Sequence, residues 1–211
     1  MIQLYHCPDA RSFRVLWALE ELGLDYELHL LPFPPRARAR EYLQVNPLGT
    51  IPAMIDGPTF MTESSAIVQY LVTRYGPSEL AVPVQDPAYG AWLNWLYFGE
   101  ATLTFPQTLV LRYRQLEPGR AEQVADDYAR WFLSRLRHVD RALASGAEWL
   151  CADRFTAADI SVGYALLLAN QLQLLGDISP SIKAYWERLK ARPGFQAAKR
   201  AQKAELSDIL P

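Results

Sequence analysis

Between residues 11 and 22 the apolar side chains fall at Val15, Ala18, Leu19 and Leu22, with Phe13 and Trp17 beside them, a three-and-four spacing that predicts a helix. Gly23 supplies its stop signal. Short strands are predicted on either side, over residues 2–5 and 26–31, so the chain opens as β-α-β, a unit whose two strands should run parallel. Pro32, Pro34 and Pro35 break the chain before a short helix around residues 37–45. Residues 51–55 and 59–61 read as two short strands joined through Asp56, Gly57 and Pro58, a composition that favours a hairpin. A helix follows over residues 63–75, with Thr62 placed to cap it. The order β-α-β-α-β-β-α is complete by Gly76.

Residues 77–87 contain three prolines and no helical period, which predicts a linker. Everything beyond reads as helix, over residues 88–116, 121–145, 157–175, 181–191 and 194–204, with glycine- or proline-bearing breaks between. The predicted organisation is an α/β domain over residues 1–76, a linker over 77–87 and an all-α domain over 88–211.

Composition removes several function classes. A formal charge of −2 and a pI near 5.9 give no footprint for a nucleic-acid partner, and the basic run at residues 36–40 is followed by Glu41 and reads as solvated surface. The opening MIQLY carries no basic n-region and no long apolar stretch, so neither a signal peptide nor a membrane anchor is expected and a cytoplasmic location is. Cys7 and Cys151 are too few for a disulfide framework, and with His6, His29 and His138 scattered, no metal site is expected.

Candidate chemistry gathers in LYHCPDARSFRVLW, residues 4–17, where the first strand meets the first helix and Tyr5, His6, Cys7, Asp9, Arg11 and Ser12 lie close together. Asp9 reads as the N-cap of that helix. Three further motifs stand out: NPLGTIP at residues 46–52, TESSAIVQYL at 62–71 and RFTAADISVGYAL at 154–166. In the second, Glu63 and Ser64 fall in the first turn of a helix, where unpartnered N–H groups and the helix dipole favour a carboxylate; plain capping accounts for the same residues. In the third, Thr156 and Asp159 can form a capping box with Phe155 and Ile160 as a staple, a structural element with no catalytic part.

These motifs, in this order and separation, resemble the cytosolic glutathione S-transferases across essentially the whole chain. The resemblance implies a thioredoxin-like N-terminal domain, a helical-bundle C-terminal domain and a homodimer. It implies glutathione as co-substrate with no permanently bound cofactor, and a small hydrophobic electrophile or peroxide as the second substrate. It further implies a cis Ile51-Pro52 bond that turns the Ile51 backbone outward to pair with the tripeptide, with Ser64 and Glu63 meeting the γ-glutamyl group. Phe105, Leu109 and Tyr113, spaced i, i+4, i+8, are the candidates for an apolar electrophile pocket.

Glutathione-dependent chemistry needs the thiolate, and a hydroxyl, a cation or helix N–H groups can each stabilise it. In serine-type members the hydroxyl falls at Asp9 or Ala10 of this chain, and neither can act as one. The remaining candidates are Tyr5, Ser12 and Arg11, together with the first N–H groups of the helix. Cys7-Pro8 resembles the cysteine-type members and glutaredoxins and opens an alternative, Cys7-dependent thiol-disulfide exchange. The other alternative is a non-catalytic member that binds glutathione or a protein partner.

Overall fold

The computed structural model describes residues 1–204. Strand β1 (Ile2–His6) buries Ile2, Leu4 and His6 on one face and leaves Gln3 and Tyr5 half-buried on the other, the two-residue alternation of a pleated strand. It pairs in parallel with β2 (Tyr26–Leu30) and antiparallel with β3 (Ala53–Asp56), and β3 pairs antiparallel with β4 (Thr59–Met61). The sheet order is therefore β2-β1-β3-β4. Helices α1 (Phe13–Leu22) and α3 (Ser64–Arg74) pack on each other. The segment expected as one helix over residues 37–45 is α2 (Pro35–Arg38) followed by a 3₁₀ turn, Arg40–Gln44. From it Ala39 and Tyr42 join Tyr5, Cys7, Ile51 and Ala53 in one cluster. This is the thioredoxin-like order read from the sequence.

Gly23 ends α1 in the left-handed region, φ 62°, and its N–H returns to the Leu19 and Glu20 carbonyls. Two expected caps are corrected. Asp9 does not cap α1: it has φ 54°, lies four residues before the helix, and its carboxylate is taken by Lys199 and Gln202. Glu63, not Thr62, is the N-cap of α3, because Glu63 holds the extended conformation and its carbonyl accepts the Ile67 N–H at 2.8 Å.

Contacts divide the described chain into two units, one of Met1–Ala81 with residues 190–204, the other Val82–Leu189. The last helix, α9 (Pro193–Ala204), thus groups with the first unit, where the sequence placed residues 88–211 together. Phe195 explains the difference. Its ring stands edge-on to Trp17 at 5.0 Å and to Phe13 at 5.3 Å, while Arg192 forks onto Glu21 at 2.8 and 2.7 Å.

The second unit is helical throughout. Helix α4 (Tyr89–Phe98) runs through a π-helical stretch, Gly99–Thr104, into α5 (Phe105–Leu111) and a second π stretch, Arg112–Leu116. Pro106 accounts for the first widening, since its ring lacks an N–H and crowds the preceding turn. Thr104 Oγ1 donates to the Gly99 carbonyl at 2.7 Å within it. Helices α6 (Glu122–Leu143), α7 (Ala157–Gln171) and most of α8 (Pro180–Ala191) complete the unit. Helix α7 is buried from Ala157 to Ala169, and a Cβ on Gly99 would stand 2.6 Å from the Ser161 carbonyl carbon, so only glycine allows this approach of the two helices.

The capping box at the head of α7 is present as read: Thr156 N–H donates to Asp159 Oδ2 at 2.8 Å and the Thr156 hydroxyl accepts from the helix. Asp159 also accepts from Leu150 N–H at 3.1 Å and from the Tyr185 hydroxyl at 2.8 Å. Burial nevertheless pushes its carboxyl up to about 6, against the pull of those donors.

Candidate functional site

The β1–β3 ladder ends at the Tyr5–Ala53 pair, which leaves Ile51 and Pro52 outside it, and the peptide bond between them is cis. The loop that presents them is fixed by Asn46, which is buried. Its amide donates to the Thr50 carbonyl at 2.8 Å and its oxygen accepts the Leu48 N–H at 3.1 Å, while the Tyr42 hydroxyl donates to the same Thr50 carbonyl at 2.6 Å. Gly49 has φ 61°, and a Cβ there would stand 2.6 Å from Arg36 Cβ.

At the start of α3, Glu63 is exposed and Ser64 is buried. Ser64 Oγ accepts from Arg14 Nη1 at 3.1 Å, and Arg14 is fully buried on α1. A guanidinium out of water must be hydrogen-bonded, and Ser64 supplies one of its acceptors, so a hydroxyl and a positive charge meet at the head of α3. Arg14 was missed in the sequence, although a charged residue inside the apolar run FRVLWAL was a usable signal.

Of the thiol-activating candidates, Tyr5 is half-buried in the cluster with Cys7, Ala10 and Ile51; its ring stacks on His29 at 4.5 Å and lies 5.4 Å from Tyr42. Ser12 is fully buried, accepts the Cys7 N–H at 3.2 Å and donates to the Cys7 carbonyl at 3.4 Å. It closes the loop on itself. Arg11 is half-buried. Cys7 is fully buried, its Sγ donating to the Pro32 carbonyl at 3.7 Å, and burial pushes its thiol up to about 12.

Tyr5, Arg11, Ser12, Ile51, Pro52, Glu63 and Ser64 all belong to the first unit. Phe105, Leu109 and Tyr113 belong to the second, where Phe105 is 56% exposed and the other two are half-buried. An open groove of about 480 Å³ in that unit is lined by Leu93, Asn94, Tyr97, Phe98, Ala101 and Thr102 instead. Among the described residues there is no cluster of metal-ligating side chains and no helix long and apolar enough to cross a membrane.

Residues 4–79 match the family model of the glutathione S-transferase N-terminal domain, and residues 107–198 match that of its C-terminal domain. A crystal structure of a glutathione transferase from Methylococcus capsulatus shares 31% sequence identity and superposes with a TM-score of 0.85, covering 97% of this chain and 100% of that one. Glutathione S-transferase 3 of Schizosaccharomyces pombe is 28% identical over 97% of this chain and 88% of its own. The disulfide-bond oxidoreductase YfcG of Escherichia coli is 26% identical over 99% of this chain and 98% of its own. Both domains are matched in order and the fold is shared over nearly the full length: the chain belongs to the cytosolic glutathione S-transferase superfamily.

Proposed function

We propose that the protein binds glutathione in its first unit and activates the thiol for attack on small hydrophobic electrophiles or peroxides. One observation carries this reading: the first unit holds both an Ile51 backbone outside the sheet and a helix start where Ser64 is backed by the buried Arg14. The Ile51 N–H and C=O pair with the tripeptide backbone as an added strand would, and the γ-glutamyl carboxylate docks on Ser64 and the head of α3, with Glu63 facing its amine.

The thiol of free glutathione titrates near pH ~8.5–9, so binding must favour the thiolate. Arg11 supplies positive charge, whereas the Phe13, Arg14 and Val15 N–H groups at the head of α1 are taken by the Ala10, Arg11 and Ser12 carbonyls, and the Ser12 hydroxyl is held by the Cys7 backbone. With an electrophilic carbon, the thiol proton passes to solvent, the sulfur lone pair forms the new S–C bond, and the leaving group departs with the bonding pair; with a peroxide, the sulfur takes one oxygen as the O–O bond breaks, the alcohol leaves, and a second glutathione thiol displaces water from the sulfenic acid to give the disulfide. Phe105, Leu109 and Tyr113 offer apolar contact to the electrophile, and a homodimer is the proposed assembly.

Burial of Cys7 supports this reading over a Cys7-dependent one, because a thiol pushed up to about 12 by desolvation stays protonated at neutrality. The likeness to YfcG favours a second reading in which bound glutathione itself attacks a disulfide. Calorimetry with glutathione, and ultraviolet absorbance of the bound thiolate across pH, test the proposal. A thiol titrating at least one unit below the free value supports an enzyme, and Arg11→Ala should raise it again. No binding at millimolar glutathione sinks the reading, and binding without a shifted thiol leaves a non-catalytic binder. A disulfide substrate turned over equally by wild type and Cys7→Ser selects the second reading.

A further inference from the structure

The loop between β1 and α1 is held by the far end of the chain. Asp9 sits at φ 54°, a conformation uncommon outside glycine though more open to aspartate than to most residues, and its surroundings hold it there. Those surroundings come from two residues one turn apart on α9. Lys199 Nζ donates to Asp9 Oδ1 at 2.6 Å and Oδ2 at 2.8 Å, and Gln202 Nε2 donates to Oδ1 at 2.6 Å. The Asp9 N–H donates to Gln202 Oε1 at 3.1 Å, and His6 Nε2 lies 3.1 Å from that same oxygen. Lys199 Nζ also stands 5.7 Å from the centre of the Phe13 ring, so it spans the loop and the first residue of α1. At the other end of α9, Arg192 and Phe195 grip Glu21, Trp17 and Phe13.

We propose that α9 is a splint for the thiol-facing loop, and that Lys199, acting through Asp9, is a positioning residue for glutathione chemistry. Two physical effects follow. Lys199 fixes the turn that carries Arg11, and its charge offsets that of a carboxylate, a charge that by itself raises the pKa of a neighbouring thiol. Ile51 and Ser64 are held by other partners, Asn46 through its loop and Arg14, so the affinity for glutathione itself does not depend on the splint.

The inference rests on the glutathione reading, and the experiment separates the two. Full-length wild type, Lys199→Met and Lys199→Arg are compared by amide hydrogen exchange over residues 9–12 without ligand, by glutathione calorimetry, and by absorbance titration of the bound thiol. For Lys199→Met the expected result is exchange about ten times faster in the loop, a glutathione Kd within about twofold of wild type, and a bound-thiol pKa raised by about one unit with kcat lowered in proportion. Lys199→Arg restores all three. Equal thiol pKa and kcat in wild type and Lys199→Met, with binding intact, overturns the positioning role, as does unchanged loop exchange. Wild type that binds no glutathione overturns the reading beneath it.

Discussion

Acidification to pH 5 should loosen the first unit through a single side chain, His6. Its imidazole is fully buried at the end of β1, and burial pulls its pKa from 6.5 down to about 4; the Gln202 hydrogen bond and the charge of Asp9 work the other way, and Lys199 adds to the fall. The folded state therefore holds His6 neutral, while the unfolded chain takes up a proton below about pH 6.5. Stability is fully present above that value and is lost as pH falls toward 4. At about 1.4 kcal/mol per unit the whole effect is roughly 3 kcal/mol, and about 2 kcal/mol of it is gone at pH 5. Hydrogen exchange of the β1 amides at pH 7 and pH 5, corrected for intrinsic exchange, reads this as a loss of about 30-fold in protection. His6→Gln keeps an amide donor toward Gln202 and cannot titrate, so its protection should change by less than about threefold. Parallel losses in wild type and His6→Gln would refute the assignment.

The second unit should respond with the opposite sign. Asp159 is fully buried with its pKa raised from 3.8 to about 6, so its contribution is present below pH 3.8 and lost as pH rises through 6. Protection of the α7 amides should rise by about 1 kcal/mol between pH 7 and pH 5, and Asp159→Asn should abolish that rise. Gly99→Ala, which drives a methyl into the Ser161 backbone, should cost about 1–3 kcal/mol and lower the thermal midpoint by several degrees. Gly90→Ala on the preceding helix, where a Cβ meets nothing within 4 Å, should leave it unchanged or raise it, and equal midpoints for the two variants would dismiss the steric argument.

Where local chemistry decides the structure, the sequence was readable. Strand β4 occupies residues 59–61 as the turn composition implied, Gly23 stops α1, and the Thr156–Asp159 box forms between groups three residues apart. Asp9 is the opposite case. Its local preference for capping lost to an ion pair with Lys199, 190 residues away, which no periodicity encodes. Arg14 and Asn46 were illegible in part for the same reason, since their value lies in Ser64 and Thr50 on other segments. The cis bond at Ile51-Pro52 and the helix start at Ser64 were legible because each is set by its own stretch of backbone: one bond beside a proline, one helix opening after Glu63. The widening at Gly99–Thr104 carried a signal, Pro106, but the helical period continued through it and hid the change.

That α9 belongs with α1 also sets an order of events during synthesis. The opening unit of the fold cannot be finished until the final segment has left the ribosome. At about 5–20 residues per second, translating the roughly 110 intervening residues takes about 5–20 s. Throughout that interval the faces of Phe13 and Trp17 that Phe195 covers stay open, and Glu21 and Asp9 lack the Arg192 and Lys199 side chains that later pair with them. The nascent first unit is thus a natural client for a chaperone, and a chain cut short before residue 190 leaves it permanently uncovered.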